Sequence, residues 1–131
     1  MTLPDDLAPS LAPNLAKDMQ AIEIRIDGEN RYLAAGKVAM PEITQGEVLV
    51  RIRAAGVNRP DLMQVAGMYP PPPGASEIPG LELSGEIVVT APDVTTWKVG
   101  DQVCALVTGG GYAQYAAAPP HNAFRFRLAF P

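Results

Sequence analysis

The sequence predicts a mainly β, antiparallel, barrel-like fold with one short helix. Three observations lead to this prediction. Short segments in which apolar and polar residues alternate recur along the 131-residue chain. The 14 prolines and 12 glycines cluster near the ends of these segments, where a chain of short strands needs turns. Only residues 58–67 carry the start and stop signals of a helix. Many short strands with a single helix are typical of small β-barrels.

The predicted strands follow one another at short intervals. The first covers residues 21–26, with Ile22, Ile24 and Ile26 on one side, and a weaker one covers residues 31–38. The clearest covers residues 47–54, where we expect Val48 and Val50 to face a core while the intervening residues face water. Further strands are predicted over residues 83–89, 102–107 and 112–117. The glycines at residues 109–111 are interpreted as a turn before the last of these, since no dinucleotide fingerprint accompanies them.

The single helix is predicted from its terminal residues. Asn58 or Arg59 would cap it, Pro60 would stand near the first helical position, and Asp61 would lie in the first turn. Gly67 follows its expected end, and the prolines at residues 70–73 require a loop.

Composition excludes several classes of function. The chain is 47% hydrophobic and 18% charged, with a net charge of −4 and no basic cluster, which argues against a nucleic-acid surface. No apolar run approaches the roughly 20 residues of a membrane span, and the N-terminus lacks a basic signal region. A single cysteine, Cys104, excludes an internal disulfide and indicates a cytoplasmic protein. We expect residues 1–18 to be a flexible extension and residues 19–119 to be the domain.

Five motifs in order resemble the GroES-like catalytic domain of medium-chain dehydrogenases; they lie at residues 46–51, 55–61, 79–85, 99–103 and 110–115. Residues 58–64 and 69–76 are most similar to the tumour-suppressor-inducible branch of the zeta-crystallin-like quinone oxidoreductases. The resemblance implies a partly open, GroES-like β-barrel. It also implies a truncated protein, because the Rossmann domain that would bind the nucleotide is absent from this sequence.

The resemblance also indicates whether a zinc ion is expected and which cofactor would supply the hydride. In the zinc alcohol dehydrogenases of this superfamily, a Cys stands where this chain has Asn58 and a His where it has Leu81. A catalytic zinc needs about three Cys, His or carboxylate ligands, and the whole chain holds one Cys and one His. We therefore expect no zinc. The resemblance implies hydride transfer from NADPH to a small-molecule quinone, by an enzyme that is a homodimer when full length.

Three residues are candidates for the site on the strength of the resemblance. Asn58 would take the place of a zinc ligand and donate a hydrogen bond to the nicotinamide ribose or the quinone; the alternative is a helix N-cap. Tyr69 would border cofactor and quinone, or else be an aromatic packed under a loop. Arg59 would meet a cofactor phosphate or be solvated. Asp61 is interpreted as an acidic residue whose negative charge is stabilised by the helix dipole in the first turn.

Three other residues receive weaker interpretations. Glu82 would pair with an arginine in the cleft or face solvent from a strand. Cys104, in an apolar run, is interpreted as a buried, inert thiol. His121 is assigned no role.

Two rival functions stay open beside the quinone reductase, namely an enoyl or acryloyl reductase of the same superfamily and a standalone, non-catalytic β-barrel module. We expect the 131-residue chain alone to be inactive.

The tail over residues 120–131 looks non-native. A one-frame shift of a plausible coding sequence from residue 122 onward reads Cys-Leu-Pro-Val-Pro-Ala-Gly-Leu-Ser, as the family would continue. The tail is therefore interpreted as a frameshift product that fits the domain poorly.

Overall fold

A computed structural model describes residues 15–125. Within this range the chain forms a short helix, α1 (Arg59–Val65), and seven antiparallel strands. The strands are β1 (Asp18–Asp27), β2 (Asn30–Ala39), β3 (Val48–Ala55), β4 (Glu82–Thr90), β5 (Gln102–Leu106), β6 (Tyr115–Ala118) and β7 (Ala123–Arg125). None of the helical segments in this range has the length and apolar character to cross a membrane. The predicted mainly β fold with one short helix is confirmed.

Strands β1 and β2 form a hairpin with a two-residue turn. Asp27 pairs with Asn30, and Gly28 has a φ of 61°, the left-handed value that the first central residue of a tight hairpin turn favours. The buried residues of β1 are Met19 and Ala21, whereas Ile26 is 61% exposed. The isoleucine face is thus the more exposed side of this strand.

The other strands form a five-stranded sheet in the order β6-β3-β4-β5-β7. The β3–β4 register shifts at two places, between Leu49 and Val50 and between Ile52 and Ala54, as it does at β-bulges. The hairpin joins the sheet through a bridge between Ala21 and Ala113 and through the Ile22 N–H, which donates to the Tyr112 carbonyl at 2.8 Å. The two sheets do not close on each other, so the predicted partly open barrel is confirmed.

The core contains two clusters of apolar side chains. The larger cluster includes Val48, Val50 and Ile87, each fully buried. The smaller cluster contains Leu49, which the sequence pattern places in water. That expectation is wrong because loop residues, including Ile43, cover the second face of β3 at its start. Only the last residues of β3 are exposed.

The start of the tail packs against the domain. Residues Pro120–Asn122 form a 3-10 helix, and β7 pairs with β5. The Trp97 indole N–H donates to the Pro120 carbonyl at 3.2 Å, and the Arg125 guanidinium lies 4.8 Å from the centre of the Trp97 ring. A poor fit is therefore not seen for residues 120–125, while the frameshift itself stays a prediction. The rest of the tail and residues 1–14 of the predicted 1–18 extension lie outside the described residues. The described end of that extension is ordered, because the Lys17 carbonyl accepts the Met40 N–H at 2.8 Å and Asp18 begins β1.

Candidate functional site

Helix α1 begins as the sequence predicts. Asn58 is its N-cap with extended backbone angles, φ −126° and ψ 157°, and Pro60 stands within the first two helical positions. Asp61 is the third helical residue, and its carboxylate Oδ2 accepts the backbone N–H of Asn58 at 2.8 Å. This reaching back of an acidic side chain to the N-cap fixes the backbone of Asn58. The side-chain NH2 of Asn58, half-buried, has no hydrogen-bond partner within residues 15–125.

Asp61 lies in the first turn of α1, as its helix-dipole interpretation expects, but it also makes buried contacts that the sequence did not indicate. It is only 2% exposed, and its Oδ2 also accepts the hydroxyl of Tyr112 at 2.7 Å. Its Oδ1 is buried and has no donor among the described residues. Burial, followed by the hydrogen bond to the Asp61 carboxylate, raises the pKa of Tyr112 to about 12. Tyr112 therefore stays protonated, and remains a donor, to a higher pH than an ordinary phenol.

Tyr112 reaches Asp61 because two glycine backbones meet. A Cβ on Gly80, whose φ is +107°, would lie 2.6 Å from the Cα of Gly111. The Gly111 N–H donates to the Gly80 carbonyl at 3.1 Å, and the Tyr112 N–H donates to the Pro79 carbonyl at 2.9 Å. No other residue type allows so close an approach of two backbones. The loop before β6 is thereby held beneath the start of α1.

Two further hydrogen bonds hold the other end of α1. Gln64, 6% exposed, donates through Nε2 to the Glu77 carbonyl at 3.0 Å. Arg31 of β2 donates through Nε to the carbonyl of Val65 at 2.7 Å, which satisfies one of the unpaired carbonyls at a helix end. The helix is therefore oriented by polar contacts to three different segments.

Tyr69 follows this end of the helix and is 39% exposed. It lines a pocket of about 370 Å³ between the β1–β2 hairpin and the proline loop, a size in the range of small-molecule sites. Arg31 and Gln64 share this pocket, whereas Asn58 and Arg59 do not line it. A seven-residue helix separates Asn58 from Tyr69, which is about 10 Å along its axis. The described residues thus place the two main candidates at opposite ends of α1.

The other candidates have little contact with their neighbours. Arg59 is exposed and forms no ion pair within residues 15–125. Glu82 is exposed on β4, and its carboxylate lies across Gly56, where a Cβ would collide with it. It has no arginine partner in the described part of the chain, so it faces solvent as one of its two interpretations expects. His121 is exposed in the 3-10 helix.

The prediction that the Cys104 thiol is buried is wrong, while its inertness stays a prediction. Val103 and Ala105, its neighbours on β5, are buried in the core, so alternation directs Cys104 to the opposite face. It is half-buried there, opposite Ser84 and Phe124 on the adjacent strands.

The metal-ligand positions of the resemblance contain Asn58 and Leu81, both half-buried. Within residues 15–125, no group of three or more His, Cys, Asp or Glu side chains is placed to hold a metal ion.

Sequence reasoning missed three residues that build the site: Tyr112, Gln64 and Arg31. The Asn58-x-x-Asp61 spacing was a usable signal for the carboxylate that reaches back to the cap. No local signal identifies Tyr112 as its second partner, because the two residues are 51 positions apart.

Comparison with known proteins places this geometry in a family. Residues 44–127 match the alcohol dehydrogenase GroES-like domain. The chain is 36% identical over 109 residues to a quinone oxidoreductase of Lama guanicoe, and 33% identical over 104 residues to the mouse synaptic vesicle membrane protein VAT-1 homolog-like. These alignments cover 82% and 79% of this chain but only 33% and 25% of the relatives.

A solved structure gives the same result. The crystal structure of the human synaptic vesicle membrane protein VAT-1 homolog-like protein aligns with a TM-score of 0.73 at 29% identity, and the alignment covers 87% of this chain and 37% of that one. The chain thus spans about a quarter to a third of the length of the curated relatives it matches. It belongs to the alcohol dehydrogenase GroES-like domain family, within the medium-chain dehydrogenase/reductase superfamily.

Proposed function

We propose that this chain is the catalytic domain of an NADPH-dependent quinone oxidoreductase that works without a metal. The observation that carries the proposal is the Asn58 side-chain NH2, a neutral donor without a partner in the described residues, held at the fixed start of α1. A donor at this place can stabilise the negative charge that develops on a quinone oxygen as hydride arrives. The name of the guanaco relative, quinone oxidoreductase, supports the same substrate class.

In the proposed site, three side chains of this chain would contact a nicotinamide nucleotide. NADPH supplies the hydride when bound, and the protein contributes placement and electrostatics. Asn58 would donate to the nicotinamide ribose or to the quinone, and the exposed guanidinium of Arg59 would meet a phosphate. Tyr69 would border the ring through its face or hydroxyl, at the rim of a pocket lined by the apolar Ile24 and Pro70 and by the charged Glu23, Arg31 and Glu77.

Zinc independence is part of the proposal and rests on donor chemistry. An amide at position 58 and an isobutyl group at position 81 replace the two ligands that the family resemblance expects. Neither group is a normal zinc ligand. We further propose that the complete enzyme is cytoplasmic and forms a homodimer. Gel filtration of that enzyme would test the homodimer.

The experiment is a substrate comparison on a complete enzyme. Residues 1–118 are joined to the dinucleotide-binding part of the guanaco quinone oxidoreductase, and NADPH oxidation is followed by absorbance in chelator-treated buffer. We expect turnover with a simple benzoquinone and little with an enone acceptor. A preference for the enone would favour the enoyl reductase, and a folded fusion that binds NADPH but reduces neither acceptor would favour a non-catalytic module. The unfused 131-residue chain is the control, and we expect it to be inactive.

A further inference from the structure

Asp61 is an unusual residue for the inner side of a short helix. A buried carboxylate normally has all its acceptor sites occupied, yet here two donors converge on Oδ2 while Oδ1 has none in the described residues. One of these donors is the backbone N–H of Asn58, and the other is the Tyr112 hydroxyl from a loop 51 residues away. The carboxylate thus connects the candidate donor residue to the glycine-held loop.

We propose that Asp61 and Tyr112 are a pair of positioning residues that set the direction of the Asn58 side chain. This inference rests on the proposed function, since it assigns Asn58 the contact with the quinone or ribose. The Asp61 carboxylate holds the Asn58 backbone at the N-cap, and the Tyr112 hydroxyl holds the carboxylate in place. Neither positioning residue needs to touch the reacting atoms.

A physical argument explains why such a pair is needed. A helix of seven residues is too short to be stable by itself, so its N-cap has no fixed orientation without tertiary contacts. Apolar packing supplies little of that contact on the inner side of α1, because its buried residues are Asp61 and Gln64. Hydrogen bonds are directional, and they therefore fix the orientation of the cap more narrowly than apolar packing would. Reaction rates are sensitive to displacements of this kind.

The kinetic test is a double-mutant cycle in the complete enzyme defined above. Tyr112→Phe removes only the hydroxyl and keeps the ring beside Gly80. We expect it to lower kcat for the quinone about tenfold while KM changes less than about twofold. Combined with Asn58→Ala, it should add nothing, because a residue that acts through Asn58 has no effect once the amide is gone. Independent, multiplicative losses would overturn the proposal, as would unchanged kcat in Tyr112→Phe.

The matched control is Tyr115→Phe. Tyr115 is also half-buried, and its hydroxyl has no hydrogen-bond partner within residues 15–125. We expect kcat to stay within about twofold of the parent. A loss equal to that of Tyr112→Phe would show that any tyrosine hydroxyl near this sheet matters equally, and it would count against the specific pair.

A second readout separates this inference from the proposed function. Hydrogen exchange of the Asn58 backbone amide is measured by NMR on the 131-residue chain, which needs neither NADPH nor quinone. We expect exchange at Asn58 to accelerate about tenfold or more in Tyr112→Phe and to be unchanged in Tyr115→Phe. If the fused enzyme is inactive but the exchange changes, the proposed function fails and the positioning pair stands. If the enzyme is active and neither exchange nor kcat changes, only the pair fails.

Discussion

Removal of the Tyr112 hydroxyl should destabilise the fold measurably, and the loss should depend on pH. Tyr112→Phe deletes a 2.7 Å hydrogen bond to a carboxylate that is 2% exposed. A hydrogen bond to a charged group contributes about 1.5–3 kcal/mol. The Asn58 N–H still serves the same Oδ2, so we expect a loss near the lower end, about 1.5–2 kcal/mol at neutral pH.

The pH dependence follows from the raised pKa of Tyr112, about 12 in the folded state against 10.0 for an ordinary phenol. A group whose pKa is raised by folding stabilises the fold fully below its unfolded pKa. It loses that contribution as the pH rises through its folded pKa. The stability difference between the parent and Tyr112→Phe should therefore be constant from neutral pH to pH 10 and shrink toward pH 12.

Urea unfolding followed by the fluorescence of Trp97, the single tryptophan, measures both effects. Tyr115→Phe serves as the control for loss of a phenol. The reasoning would be refuted if the free energies of unfolding of the parent and Tyr112→Phe differed by less than about 0.5 kcal/mol at neutral pH, since a surface substitution has effects of that size. A stability difference that does not change between pH 9 and pH 12 would refute it too.

Four further predictions concern other parts of the molecule. Ile87→Ala, at a fully buried position of β4, should cost about 2–5 kcal/mol in urea unfolding. Gly80→Ala should cost more than Gly100→Ala, because both have a positive φ but only Gly80 would meet another backbone; equal costs would contradict the close approach. Tyr69→Phe should lower quinone turnover of the complete enzyme several-fold, which corresponds to about 0.5–1.5 kcal/mol, and unchanged kinetics would assign Tyr69 to packing. Elemental analysis after chelator dialysis should find substoichiometric zinc; retained stoichiometric metal would refute zinc independence.

Local patterns were sufficient for most of the fold. Alternation located the strands, and glycines and prolines located the turns, because both signals depend on residues a few positions apart. The cap at Asn58 and the left-handed Gly67, with a φ of 79°, followed from the same local chemistry. These parts could be predicted because the physics that forms them is contained in one short segment.

The errors arose where tertiary contacts decide burial. Leu49 lies on the face of β3 that alternation assigns to water, but loop residues cover that face. Cys104 lies in an apolar run, yet the period of two directs it away from the core. Asp61 was interpreted only through the helix dipole, and its hydrogen bond to the loop residue Tyr112 was not expected from the sequence. The partner of Asp61 is 51 positions away, whereas for Cys104 the alternation within its own strand was a usable signal.

The central claim is that Asn58 is the neutral donor of a metal-free quinone reductase site. The most direct measurement is kcat for NADPH-dependent benzoquinone reduction by the complete enzyme and its Asn58→Ala variant, both in chelator-treated buffer. We predict that the parent turns over at the same rate with and without added zinc and that the variant is at least about tenfold slower, a loss of about 1.4 kcal/mol of transition-state stabilisation. Equal rates for the two proteins, or a parent that requires zinc, would contradict the account.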